Sequence, residues 1–147
     1  MSTEVLEFAE KIGAIDMSSK LKQGEYRGLF KRRNYFSLKN NTFLILKLSK
    51  NKIRPFWGLG KQFVEVFNLL TEDQGTYHLV LLVSNKSGWT FSKKEINGYI
   101  QDGSWSFSEK QGEYKINDYN LKDANNFFST DHFLKKIGLL KEHEPSE

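Results

Sequence analysis

The sequence predicts a mixed α/β or α+β fold in which a single mixed sheet, with a central hairpin and a buried strand, is flanked by helices. Three observations carry that expectation. Between residues 34 and 50, polar and apolar side chains alternate on either side of Asn40-Asn41, and asparagine tolerates the positive φ of a tight hairpin turn. Residues 77–84 are a continuous apolar run with no polar alternation after His78, the pattern of a strand buried on both faces. Residues 2–15 and 61–70 place apolar side chains at helical spacing, which supplies covering layers.

In the first helical segment Val5, Phe8, Ala9 and Ile12 share a face, with Ser2 or Thr3 as N-cap and Gly13 near the end. A second helix is expected from Ser18 or Ser19 to about Phe30, although Gly24 and Gly28 each weaken it by up to about 1 kcal/mol relative to alanine. Its last turn would carry Lys31, Arg32 and Arg33, where bases complement the helix dipole.

With a two-residue hairpin loop, antiparallel counting sets Lys39 opposite Thr42, Leu38 opposite Phe43, Phe36 opposite Ile45 and Asn34 opposite Lys47. Asn34, Phe36, Leu38, Phe43, Ile45 and Lys47 then share one face. Residues 51–60, with Arg54, Pro55, Phe56, Trp57 and two glycines, read as a loop into a helix whose buried stripe is Phe63, Val66, Phe67 and Leu70.

Farther on, Trp89-Thr90-Phe91-Ser92-Lys93 and Trp105-Ser106-Phe107-Ser108-Glu109 resemble each other at a spacing of 16, but one recurrence is not a repeat architecture. Ser92 with Glu95 predicts a capping box for a helix to about Gln101, and Ser108 with Gln111 is a weaker echo. Residues 114–116 fit a last short strand, and residues 131–140 a terminal helix with Phe133, Leu134 and Ile137 apolar. The tail from Glu142 is expected to fray.

At 147 residues the chain fits a single domain, spanning residues 1–147, able to bury a core without covalent staples. The absence of cysteine excludes disulfides, thiolate catalysis and cysteine-zinc sites, and His78, His132 and His143 are scattered. No metal centre is expected from these residues. No apolar run approaches the roughly 20 residues of a membrane helix, and Glu4, Glu7 and Glu10 stand where a signal peptide would be basic. The expected setting is cytoplasmic, without membrane association.

Charge is distributed unevenly. Residues 20–61 hold twelve bases (Lys20, Lys22, Arg27, Lys31, Arg32, Arg33, Lys39, Lys47, Lys50, Lys52, Arg54 and Lys61) against one acid, Glu25, whereas the whole chain carries only +4. The remainder is therefore net acidic, and a polyanion would bind one part of the sequence and avoid the other. A solvated basic face that merely aids solubility is the plainer reading of any one short run. Twelve to one over the segment favours a partner, and nucleic acid is the polyanion that fits most simply.

Residues 42–84 carry a resemblance to a known family. Phe43-Leu44-Ile45-Leu46-Lys47 on a strand is followed by a loop with Pro55-Phe56, the helix from Lys61 and the apolar strand from Tyr77. With the preceding helix and strand, the order over residues 2–84 resembles the core of the PD-(D/E)XK restriction-endonuclease-like superfamily, with residues 85–141 as a C-terminal extension. The resemblance implies a nuclease-like fold, a DNA partner, Mg²⁺ as cofactor in an active member, and a homodimer as one way of working on duplex.

In that family two acids hold a divalent metal, and a lysine helps to activate water or to stabilise charge on the phosphate. Lys47 matches the lysine. Ile45 occupies an acidic position, and Asn34 or Phe36 stands where the first-strand acid is expected, so neither supplies the negative charge that a hard cation needs. Some members move acids onto helices, which would make Glu25 and Glu65 the catalytic partners of Lys47.

Beside the resemblance, each residue has a plainer reading. Lys47 fits an edge lysine with a hydrated ammonium. Trp57 fits a loop anchor more readily than a stacking platform for an unpaired base. Trp89 and Trp105 fit the core. Gly58-Leu59-Gly60-Lys61 lacks the spacing of a phosphate loop or dinucleotide fingerprint, although amides at the helix start suit one phosphate.

The expected function is nucleic-acid binding by a degenerate nuclease-like core, through Arg32, Arg33, Lys39, Lys47, Lys50, Lys52, Arg54, Trp57 and Lys61. One alternative is a metal-dependent nuclease using Lys47, Glu25 and Glu65. Another is an interaction module or inhibitor whose bases grip an acidic partner protein. A small enzyme acting on anionic metabolites fits less well, for want of an acid and base pair.

Overall fold

The computed structural model describes residues 2–17, 35–72 and 75–139. The expected second helix, with Glu25, Arg32 and Arg33, lies outside the described residues, as do Asn34 and the tail. Helix α1, Thr3–Ile12, starts at Ser2, whose hydroxyl accepts from the Glu4 amide, and stops at Gly13 in the left-handed conformation. Ile15–Asp16 then leaves the expected helix and forms a short strand, β1.

Strands β2 (Tyr35–Leu38) and β3 (Thr42–Leu48) form the hairpin. Its register differs from the expected one. Tyr35 lies opposite Ile45, Phe36 opposite Leu44, Ser37 opposite Phe43 and Leu38 opposite Thr42. Lys39 belongs to the loop rather than to a pair, and Asn40 and Asn41 take φ values of 62° and 53°. A slip of one residue turns every β2 side chain to the other face. Phe36 and Leu38 therefore pack on the side away from Ile45 and Lys47, while Tyr35 takes the place beside Ile45.

The expected loop at residues 51–60 contains a strand, β4, Phe56–Gly60. Helix α2, Lys61–Leu70, follows and leads to β5, Thr76–Leu82. The Val66, Phe67 and Leu70 side chains of its expected stripe lie outside the described residues. Next come β6 (Gly88–Ser92), α3 (Lys93–Gln101), β7 (Ser106–Ser108), β8 (Glu113–Asn117), β9 (Asn126–Phe127) and α4 (Thr130–Lys136). The Ser92–Glu95 capping box is complete in both directions. Ser108 instead serves the β7–β8 turn, accepting from the Gln111 amide and starting no helix.

The strands make a mixed α/β structure with two sheets rather than one. Six strands run in the order β1-β2-β3-β5-β6-β9, and β4-β8-β7 form a smaller sheet. Residues 85–139 are built into both sheets and do not form an appendage. β5 is interior, parallel to β3 and antiparallel to β6, and Tyr77, Leu79, Val80, Leu81 and Leu82 are fully buried. Gly88 permits the close β5–β6 approach, because a Cβ there would overlap the Leu81 carbonyl.

On one face of the large sheet, Phe36, Leu44, Leu46, Val80 and Leu82 pack beneath Val5, Phe8 and Ile12 of α1 and Phe133 of α4. On the other face, Tyr35, Ile45, Leu79, Leu81 and Phe91 pack against Trp57, Leu59 and Ile116 of the small sheet and Ile96 and Tyr99 of α3. Phe91, Tyr99 and Trp105 form a tight aromatic group, with Tyr99 and Trp105 stacked at 4.8 Å between centroids. Burial pushes the Tyr77 phenol up to about 12, and its hydroxyl donates to Asn68.

Asn125 is the polar clasp of the C-terminal part. Its amide donates to the Thr90 carbonyl and the Glu95 carboxylate, and its oxygen accepts from the Tyr99 hydroxyl. His78, Thr90, Glu95 and Lys136 line a cavity of about 240 Å³ beside it. Burial holds the His78 imidazole below its ordinary pKa, with Glu95 acting in the opposite direction.

Two outcomes are expected. Phe91→Ala removes the centre of the aromatic group and should cost about 3–5 kcal/mol in chemical denaturation; a loss under about 1 kcal/mol would contradict this packing. For His78, a depressed folded-state value means that the unfolded chain binds the proton more readily, so its contribution is present above 6.5 and lost as pH falls through the folded value. Between about pH 7.5 and about pH 5, urea stability of the natural protein should fall more than that of His78→Gln. Equal losses would show that His78 is not the titrating group.

Candidate nucleic-acid interface

The parallel pairing of β3 with β5 brings the carboxyl ends of both strands to one edge, at Leu48 and Leu82. Ligands of open α/β sheets commonly gather at such edges, where the backbone must leave the ladder. Residues 49–55 emerge there as a well-bonded loop. The Ser49 amide donates to the Leu82 carbonyl at 2.9 Å. Ser49 Oγ donates to the Asn51 carbonyl and accepts from the Phe56 amide. Asn51 Oδ1 accepts from the amides of Ile53 and Arg54, at 3.0 and 2.9 Å, so its side chain imitates a backbone turn.

This turn sorts the bases. Lys50 and Arg54 are exposed, and among the described residues neither forms an ion pair. Lys52 is committed within the protein: its ammonium meets Glu4 Oε2 at 3.2 Å and the Val83 carbonyl, tying the loop to α1. Its exposed pair with Glu4 adds little stability by itself, but it places an acid beside one of the expected phosphate-binding bases.

The remaining predicted residues are dispersed. Lys39, in the hairpin turn, stands beyond the opposite end of β3, about 20 Å from the loop by strand rise. Lys61 opens α2 near the small sheet, its amide donating to the Gly112 carbonyl and its ammonium lying 5.9 Å from the centre of the Phe107 ring. The helix-start amide expected to suit a phosphate is therefore already used at Lys61. Trp57 is 3% exposed, donates Nε1 to the Leu82 carbonyl at 3.2 Å and packs edge-on against Trp89. It is a buried anchor, as its plainer reading expected, and this burial corrects its inclusion among the nucleic-acid contacts.

Lys47 is half-buried on the face covered by α2, with its ammonium 5.5 Å from the centre of the Phe63 ring. Ile45, at the acidic position of the resembling family, is 1% exposed, and the observed register sets buried Tyr35 opposite it rather than Phe36. Glu65 is exposed and lies about 200° around α2 from Phe63, on the side away from Lys47. Thus Lys47 and Glu65 are not brought together.

Sequence reading missed two exposed rings. Phe56 begins β4 opposite Asn117, and Tyr119 lies two residues beyond that partner, with the Asp118 amide bonded to the Pro55 carbonyl. Phe56 is 53% and Tyr119 79% exposed, on segments bonded to the loop that carries Lys50 and Arg54. Alternation along residues 56–60 was the signal for β4, obscured by its two glycines and by a pairing partner more than fifty residues away.

Compared with protein-family models, with curated proteins and with solved structures, the chain matches none.

Proposed function

We propose that the protein binds nucleic acid, DNA in the first instance, through a nuclease-like core lacking the usual catalytic acids. The observation that carries the reading is the Asn51-held loop, which presents Lys50 and Arg54 at the carboxyl edge of the parallel strands β3 and β5. Their guanidinium and ammonium groups are free to meet phosphates, and phosphate contacts position a strand without reading its sequence. The helix, hairpin, helix and buried-strand order supports the resemblance to the PD-(D/E)XK core. Ile45 and Tyr35 at the hairpin positions support binding over metal-assisted cleavage.

The test is a titration of labelled DNA at several salt concentrations. Each phosphate contact contributes roughly −0.9 to the slope of log affinity against log salt on duplex, and about −0.7 on single strands. Replacing Lys50 and Arg54 by alanine should flatten that slope by about 1.4–1.8 and weaken binding. Binding unaffected by salt and by both substitutions would contradict the proposal. Salt-independent capture of an acidic protein would favour the partner-protein alternative instead. Incubation with plasmid and Mg²⁺ should leave the DNA uncut; cutting that disappears in Lys47→Ala would restore the nuclease alternative.

A further inference from the structure

Exposed apolar residues are common on protein surfaces, so only their grouping is informative. Seven large apolar residues are exposed among those described, and three of them, Ile53, Phe56 and Tyr119, belong to one end of the small sheet and the loop beside it. The other exposed rings have partners within the chain. Phe107 meets Tyr114 and the Lys61 ammonium, and Phe128 stacks on His132. Among the described residues neither Phe56 nor Tyr119 has a ring partner.

Their setting is fixed by backbone. Phe56 pairs with Asn117, while the Asp118 amide holds the Pro55 carbonyl at 3.2 Å, so the segment bearing Tyr119 is fastened beside the segment bearing Arg54 and Phe56. Buried Trp57 anchors the adjacent position through the Leu82 carbonyl. Two rings are thus held on ordered backbone next to Lys50 and Arg54.

Resting on the nucleic-acid reading of this edge, we infer that its ligand is an unpaired strand, whose bases stack on Phe56 and Tyr119 while its phosphates meet Lys50 and Arg54. A duplex offers phosphates but keeps the faces of its bases within its own stack, leaving these rings without a partner. A single strand offers both, and stacking is tolerant of sequence because every base has a π-face. Ile53, 91% exposed between Lys52 and Arg54, adds an apolar contact at the same place. Deoxyribose and ribose strands present the same bases and phosphates, so both belong in the test.

The experiment is fluorescence anisotropy with labelled oligo-dT, oligo-rU and a blunt hairpin duplex. Besides the natural protein it uses Phe56→Ala/Tyr119→Ala, Phe56→Trp/Tyr119→Phe and Lys50→Ala/Arg54→Ala, each checked for unchanged thermal unfolding. Removing the rings should weaken single-strand binding by about 5- to 150-fold per base stacked, with little change on duplex and an unchanged salt slope. The aromatic replacements should retain binding, and the base-deficient variant should lose affinity and slope on every probe. Preference between oligo-dT and oligo-rU identifies which sugar the supported site takes. If the ring-deficient variant binds single strands like the natural protein while the base-deficient one is weakened, stacking is overturned and phosphate binding stands. Equal loss on duplex and single strand also overturns stacking. No binding of any oligonucleotide, or binding only of polyglutamate, overturns both readings.

Discussion

One carbonyl, that of Leu82, joins the buried centre of this fold to its candidate binding edge. It accepts from the Ser49 amide, where the chain leaves β3, and from the Trp57 indole, where the chain has entered β4. Both ends of the loop between them are therefore referred to the last residue of β5. That reference is firm because β5 is interior, parallel to β3 over seven paired residues and packed on both faces. A loop bearing exposed bases would otherwise sample many arrangements, and ordering it on binding would cost affinity. Here the ordering is largely built in before any ligand arrives.

The two faces of the large sheet divide the remaining work. Helices α1 and α4 close one face with aliphatic and phenylalanine side chains. The other face receives the small sheet, and Trp57 and Leu59 are inward-facing positions of β4. Alternation along β4 then turns Phe56 outward. A buried anchor and an exposed ring are consequently adjacent residues on one short strand, which is how hydrophobic packing inside sets the position of an apolar contact outside.

Much of the large sheet was legible from sequence. The run at residues 77–84 marked the interior strand because its neighbours on both sides and both faces are apolar, and Ser92 with Glu95 marked the start of α3 through chemistry local to one helical turn. The hairpin was placed correctly but registered wrongly, since Asn40 and Asn41 show that the chain turns without showing that Lys39 turns with them. Residues 114–116 were read as a strand and lie within β8, but their sheet was missed because β4 and β8 are distant in sequence and glycines at 58 and 60 weaken the alternation that would have revealed β4. Charge counting found the basic block, yet it could not show that Lys52 is held by Glu4 or that Lys39 lies at the far end of β3. Those are consequences of tertiary pairing.

Ligand binding at the carboxyl edge of β3 and β5, beside the outer end of β4, can be followed through the backbone amide resonances of the labelled full chain as oligo-dT is added. The largest shifts should fall in the amides of residues 49–54, 56 and 117–119, with the interior amides of β5 little changed. Shifts confined to the exposed face of α1 around Glu7 and Glu10, or centred on His78 and Asn125, would contradict it.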